Sequence, residues 1–102
     1  EVKGKRSDLP DQCGLQQNYP NPFNPQTNIP YHLNTTRRVE IAVYDLFGRK
    51  LRTLVQGVGS PGDHRVAWDG SNDAGERVAS GVYFTRLVLG SSVSTIKLVL
   101  LR

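Results

Sequence analysis

The sequence predicts an all-β domain, a barrel or two-sheet sandwich of about six or seven strands. Three observations predict it. From residue 39 onward, short runs alternate apolar and polar residues with a period of two, as strands with one buried face do. The runs are divided by clusters of Gly, Asn, Asp, Ser and Pro, the residues that turns require. No stretch carries a helical period of useful length, and six prolines and ten glycines in 102 residues oppose an all-helical chain.

Residues 1–17, EVKGKRSDLPDQCGLQQ, are polar and aperiodic and read as a linker or the tail of an upstream domain. The next segment, QNYPNPFNPQTNIPYHL, places Pro20, Pro22, Pro25 and Pro30 among Tyr19, Phe23 and Tyr31. Each proline fixes its own φ, removes an N–H and biases the preceding residue toward extended geometry. This predicts a stiff entry arm that becomes an edge strand near residues 29–33 and is excluded from the centre of a sheet, with Tyr19 or Phe23 capping the core.

RVEIAVYDL sets Val39, Ile41 and Val43 on one face, and Gly48 in LFGRK marks a tight turn. In KLRTLVQ, Leu51 and Leu54 are offset by three, which predicts a bulge or a change of face. GVGSPGD reads as a turn, HRVAWD as a strand with Trp68 in mid-run, and GSNDAGERVASG, residues 70–81, as a longer loop. VYFTRLVL and VSTIKLVLLR close the chain as two further strands. The expected core is Val39, Ile41, Val43, Val66, Trp68, Tyr83, Leu87 and Leu98. Each buried aliphatic side chain there contributes roughly 1.5–3 kcal/mol before entropy is subtracted.

A chain of this length forms one domain with a modest core. The net charge of +4 comes from 13 basic residues scattered along the chain without interleaved aromatics, so a nucleic-acid partner is not expected. Cys13 is the only cysteine, which excludes an internal disulfide. The longest late apolar run, Leu98 to Leu101, is far short of a membrane span. The chain does not begin with methionine and reads as a piece of something longer.

Several motifs tempt and fail. GVGSPG matches G-x-G-x-x-G, but a strand pattern follows it where a dinucleotide site needs a helix N-terminus. Asp69, Ser71 and Asp73 have the alternate oxygen spacing of a calcium loop, yet Ala74 and Ser80 replace its glycine and closing acid. An Asx-rich turn explains that stretch without a metal. His32 and His64 have no nucleophile elbow or ligand set around them. Residues 34–36, NTT, form a sequon compatible with an exposed loop. No catalytic constellation, cofactor or metal is expected.

Four blocks in order, QNYPNPFNPQTNIPYHL, VEIAVYDLFGRKLRTL, HRVAWDGSNDAGERVASGVYFTRL and STIKLVLLR, resemble the C-terminal type A sorting domain of type IX secretion substrates. The middle and end also resemble the immunoglobulin-like domain of the flagellar hook-capping protein. The resemblance implies an immunoglobulin-like β-sandwich of about seven strands over residues 18–102. It implies a non-catalytic signal carried behind an N-terminal cargo domain, read by outer-membrane secretion machinery and commonly removed by a peptidase on export. The cargo would pass the periplasm and reach the cell surface or medium of a Bacteroidetes-type bacterium. Family motifs fall on Asn21, Pro22 and Phe23; on Tyr44, Asp45, Gly48 and Arg49; on Gly81 and Tyr83; and on Lys97, Leu98 and Val99. Lys97 and Arg102 make a basic ending on an exposed terminal strand, suited either to an acidic receptor or to keeping an edge strand from aggregating. The alternative reading is an accessory module of the same fold, with Tyr19, Phe23 and Tyr31 as a sugar platform.

Overall fold

The computed structural model describes residues 14–102; Cys13 and most of the polar lead segment lie outside the described residues. Seven strands follow in order: β1 (Gly14–Leu15), β2 (Thr27–Leu33), β3 (Arg37–Tyr44), β4 (Lys50–Gly59), β5 (Gly62–Trp68), β6 (Gly81–Leu89) and β7 (Ser92–Leu100). They form two antiparallel sheets, β1-β2-β5 and β4-β3-β6-β7. The inward faces meet in two apolar clusters. One gathers Phe23, Ile29, Val43, Trp68, Tyr83, Leu98 and Leu100; the other gathers Tyr31, Leu33, Val39, Ile41, Leu87 and Leu89. The period-two pattern therefore gives a sandwich, with the two sheets closed over one another.

The expected core is buried apart from Val66, which is half-buried where the two clusters meet. Trp68 ends β5 instead of sitting in mid-strand, and its indole N–H donates to the Ser71 carbonyl at 2.8 Å. Phe23, Ile29, Tyr31, Leu33 and Leu100 join the core from segments whose prolines or chain-end position hid their periodicity.

The strand bounds and order correct two expectations. GVGSPGD is not a turn throughout: Gly57, Val58 and Gly59 pair with Val39, Arg38 and Arg37, and only Ser60 and Pro61 connect the strands. Gly59 is needed for packing, since a Cβ there would lie 2.7 Å from Leu33 Cδ1. β2 is the middle strand of its sheet, not an edge. Pro30 is tolerated because its carbonyl faces the short β1 side, accepting from Gln16 N at 2.9 Å, so its missing N–H falls on that side too. Gly14 and Leu15, inside the segment read as a linker, pair with His32 and Tyr31. The pairing is too short to leave a periodic signal. The offset of Leu51 and Leu54, by contrast, is two bulges, as expected: Ile41 and Ala42 pair with Val55 and Thr53, skipping Leu54, and Val43 and Tyr44 pair with Arg52 and Lys50, skipping Leu51.

Candidate functional site

The motif residues collect in two places on the sandwich. The first is a seam between the proline arm and the last strand. β7 is an edge strand, so its outer N–H and C=O groups need partners or water. The arm supplies them. Phe23 N donates to Val99 O at 3.0 Å, and Leu101 N donates to Phe23 O at 2.9 Å. The Asn21 side-chain oxygen accepts from Val99 N at 3.0 Å, and Gln17 Nε2 donates to Lys97 O at 3.0 Å. Ser94 Oγ accepts from Leu15 N at 3.2 Å further along.

Phe23 fixes the seam energetically. It is 2% exposed and packs on Trp68 with ring centroids 5.6 Å apart; Trp68 meets Tyr83 edge-on at 5.5 Å. The Tyr83 hydroxyl donates to the Ala79 carbonyl four residues upstream, the tyrosine-corner arrangement. Burial pushes the Tyr83 phenol above its ordinary pKa. Asn18, which the sequence reading passed over, is buried and donates to Thr27 Oγ1 at 2.9 Å and to Pro20 O at 3.2 Å, holding the arm against the start of β2. Its only sequence signal was an asparagine among prolines. The peptide bonds before Pro20, Pro22 and Pro25 are cis.

These contacts correct two expectations. The terminal strand does not present a bare edge at Lys97–Val99, because the arm occupies it; Leu98 faces the core and Lys97 keeps only its side chain exposed. The sugar platform does not form: Phe23 and Tyr31 are buried, and of the three rings only Tyr19, at 49%, is exposed. Arg102 is engaged as well. Its guanidinium donates to Gly70 O and Val78 O, each at 2.7 Å, and its N–H donates to Ser80 Oγ at 2.9 Å, tying the chain end to the 69–80 loop.

The second place is the β3–β4 hairpin tip. Asp45 organises it. Its carboxylate accepts from Phe47 N at 2.8 Å, Arg49 N at 3.0 Å and Arg49 Nε at 2.8 Å, while Gly48 takes the left-handed conformation at φ 80°. Burial acts to raise the Asp45 pKa, but the hydrogen bonds from Arg49 and Phe47 and the Arg49 charge outweigh it, so the carboxyl is held below its ordinary value. The turn leaves Leu46 64% and Phe47 82% exposed, with the Arg49 guanidinium 5.4 Å from the Phe47 ring centre. Beside the tip lies an open groove of about 330 Å³, floored by Leu51, Val78, Val82 and Tyr83 and closed at one side by Gly81. Tyr44, next along, lies under the Arg86 guanidinium at 4.6 Å. Lys50 Nζ meets Glu40 Oε2 at 2.7 Å, a contact that raises the Lys50 pKa.

The calcium-like stretch is a self-satisfied turn. Asp69 Oδ1 accepts from Ser71 N at 3.1 Å and from the Ser71 hydroxyl, whose bond chiefly lowers the Asp69 pKa. Ser71 Oγ accepts from Arg52, whereas Asp73 turns to Thr53 N on β4, so the three oxygens do not converge. Among the described residues no group of three His, Cys, Asp or Glu side chains converges on a point. His32 bonds Asp63 at 2.7 Å, and His64 stacks on Tyr31 at 5.0 Å.

The model of the FlgD Ig-like domain matches residues 26–92, well over half of the chain. The chain belongs to the FlgD Ig-like domain family. This agrees with the three-on-four antiparallel sandwich and makes it immunoglobulin-like. Among solved structures, dimeric latent PorU from Porphyromonas gingivalis is similar at TM-score 0.73 and 18% identity, over 95% of this chain and 10% of that one. FlgD from P. aeruginosa is similar at TM-score 0.58 and 21% identity, over 72% of this chain and 57% of that one. PorZ, an essential surface component of the type IX secretion system of Porphyromonas gingivalis, is similar at TM-score 0.58 and 23% identity, over 84% of this chain and 11% of that one. The chain thus spans about a tenth of PorU and of PorZ and over half of FlgD. No curated protein sequence matches it.

Proposed function

We propose that this domain is a non-catalytic sorting module that directs an attached N-terminal cargo through a type IX secretion system to the cell surface or medium, where a peptidase removes it on export. The seam between arm and last strand carries this reading. The family match begins at residue 26 and ends at residue 92, so it leaves out Asn21, Phe23 and Val99. Those are the residues that the structure joins. The FlgD likeness covers 72% of the chain, whereas the PorU likeness covers 95% and takes in the added parts. PorZ, similar over 84% of the chain, belongs to the type IX system by its own description. An arm that locks β7 gives the machinery a folded module and leaves the hairpin tip and outer sheet as readable surface.

The test is export of a periplasmic reporter fused ahead of the whole chain. In a host with a working type IX system the reporter reaches the surface or medium; in an isogenic host with the translocon inactivated it stays periplasmic. Periplasmic retention in both hosts overturns the proposal.

A further inference from the structure

The outer face of the four-stranded sheet has an arrangement that packing does not explain. Its register lines up rows across the strands. Lys50, Tyr44, Phe84 and Lys97 form one row, and Thr53, Ala42, Arg86 and Thr95 form the next. Val82 and Val99 pair below the aromatic row, and Val82 also floors the groove beside the hairpin tip. Two half-buried rings thus share a row, flanked by lysines, with Arg86 against one of them and exposed Leu46 and Phe47 at the end.

Charge on this face is one-sided. Glu40, in the adjoining row between Gln56 and Val88, is paired with Lys50, and Asp73 of the neighbouring loop reaches the β4 edge by accepting from Thr53 N. Asp45, at the tip, is consumed by its own turn. Among the described residues, Arg86 and Lys97 make no ion pair with any acid, and both are exposed. The opposite sheet differs: its outward pairs are Asn28–Ala67, Pro30–Arg65 and His32–Asp63, where Asp63 meets His32 and Arg65 donates to the Tyr19 hydroxyl. Its acid is thus met by an imidazole and its arginine is held by a hydroxyl, with no exposed aromatic row beside them.

We propose that the outer face of the four-stranded sheet, from Phe47 across the Tyr44–Phe84 row to Lys97, docks an acidic protein surface. Carboxylates of the partner would meet Arg86 and Lys97, and an apolar side chain on the tip side of them would enter the groove beside Phe47. Aromatic and arginine side chains together are the composition of interface centres. A protein surface is favoured over a lipid one because Tyr44 and Phe84 are half-buried, with Arg86 over the Tyr44 ring, which leaves only Leu46 and Phe47 standing clear of the surface. It is favoured over nucleic acid because Arg86 and Lys97 form one diagonal pair on β6 and β7 instead of a track for successive phosphates. The proposal rests on the sorting reading only for where the partner is met, since a partner on the export route would supply that surface.

Two experiments test it. In the first, the isotope-labelled chain is titrated by NMR with a twelve-residue peptide, Glu-Glu-Phe repeated four times. Amide shifts should concentrate at Phe47, Tyr44, Phe84, Arg86 and Lys97. The double variant Arg86→Glu/Lys97→Glu should weaken binding by at least about tenfold, while Arg65→Glu on the opposite sheet should leave it unchanged. Shifts confined to β2 and β5, no shifts, or equal binding of a Lys-Lys-Phe peptide overturn the proposal. So does stronger perturbation of the same amides by phosphatidylglycerol vesicles or by single-stranded DNA. Should the charge-reversed chain fail to fold, Arg86→Gln/Lys97→Gln serves with the same readout. In the second, the reporter fusion carries the folded double variant. Export undiminished by the variant overturns the docking surface while leaving the sorting role intact. Failure of the unmodified fusion to be exported sinks the sorting role and leaves the peptide result standing.

Discussion

Asn21-Pro22-Phe23 and Asp45 to Arg49 are both short motifs that fix a backbone, yet they dispose of their side chains in opposite ways. At the seam, Phe23 is buried and Asn21 is spent on Val99 N, so the motif is consumed in holding β7. At the tip, Asp45 is spent on the turn so that Leu46 and Phe47 stand in solvent. Identical reasoning from sequence would nominate both as recognition elements. The structure makes the first a clamp and the second a presented surface. An exposed Leu-Phe pair on a rigid turn has no packing reason, and contiguous exposed apolar groups on soluble domains mark contact sites.

The widest separation between the two comes from the phenylalanines. Phe23→Ala removes a ring from a cluster with Trp68, Leu98 and Leu100 and should cost about 3–5 kcal/mol in urea unfolding. Phe47→Ala should change stability by less than about 0.5 kcal/mol, because the side chain is almost wholly exposed. If Phe47→Ala destabilises the fold as much as Phe23→Ala, the division into clamp and presented surface collapses. Export scored on the same two variants would then report folding alone.

A smaller effect sharpens the seam itself. Asn21→Ala deletes one hydrogen bond to the Val99 N–H and should cost about 1 kcal/mol. Its clearer readout is local. Hydrogen exchange at Val99 should quicken, whereas exchange at Leu98, whose backbone pairs with Tyr83 on the inner side of β7, should follow global stability only. Equal acceleration at both amides would mean that the arm acts through overall stability and does not cover the edge.

Most of the fold was legible. The period of two in β3, β6 and β7 located their buried faces correctly, because each of those strands has one dry side and one wet side. The offset of Leu51 and Leu54 gave the bulges. What stayed hidden was long-range. Gly14 and Leu15 pair through only two residues, and the NPF segment meets a strand 78 residues away through backbone groups that every sequence possesses. Pro30 was misjudged because the prohibition on proline in central strands assumes two full neighbours, and β1 is too short to be one. The Gly57–Gly59 stretch read as a turn because crowding by Leu33 is invisible along the chain. The candidate residues could be named along the chain, but only burial separates those at the seam from those at the tip.

The subtlest distinction concerns pH. The folded Asp45 pKa is depressed, so its interactions contribute stability above the ordinary carboxylate range, and that contribution is lost as pH falls through the folded value. Asp69 behaves in the same direction. Asn can still accept the Phe47 and Arg49 N–H bonds through its amide oxygen but cannot titrate. Asp45→Asn should therefore have a lower urea midpoint than the parent at neutral pH and show a shallower loss of midpoint between about pH 5 and pH 2. The slope that remains belongs to Asp69 and other carboxylates. An unchanged acid slope would place the ionised carboxylate outside the turn's stabilisation, leaving Gly48 and the backbone bonds between Asp45 and Arg49 to hold Phe47 outward. A shallower slope with Phe47 amide exchange unchanged at pH 7 would show that the charge supports the fold while geometry alone presents the ring.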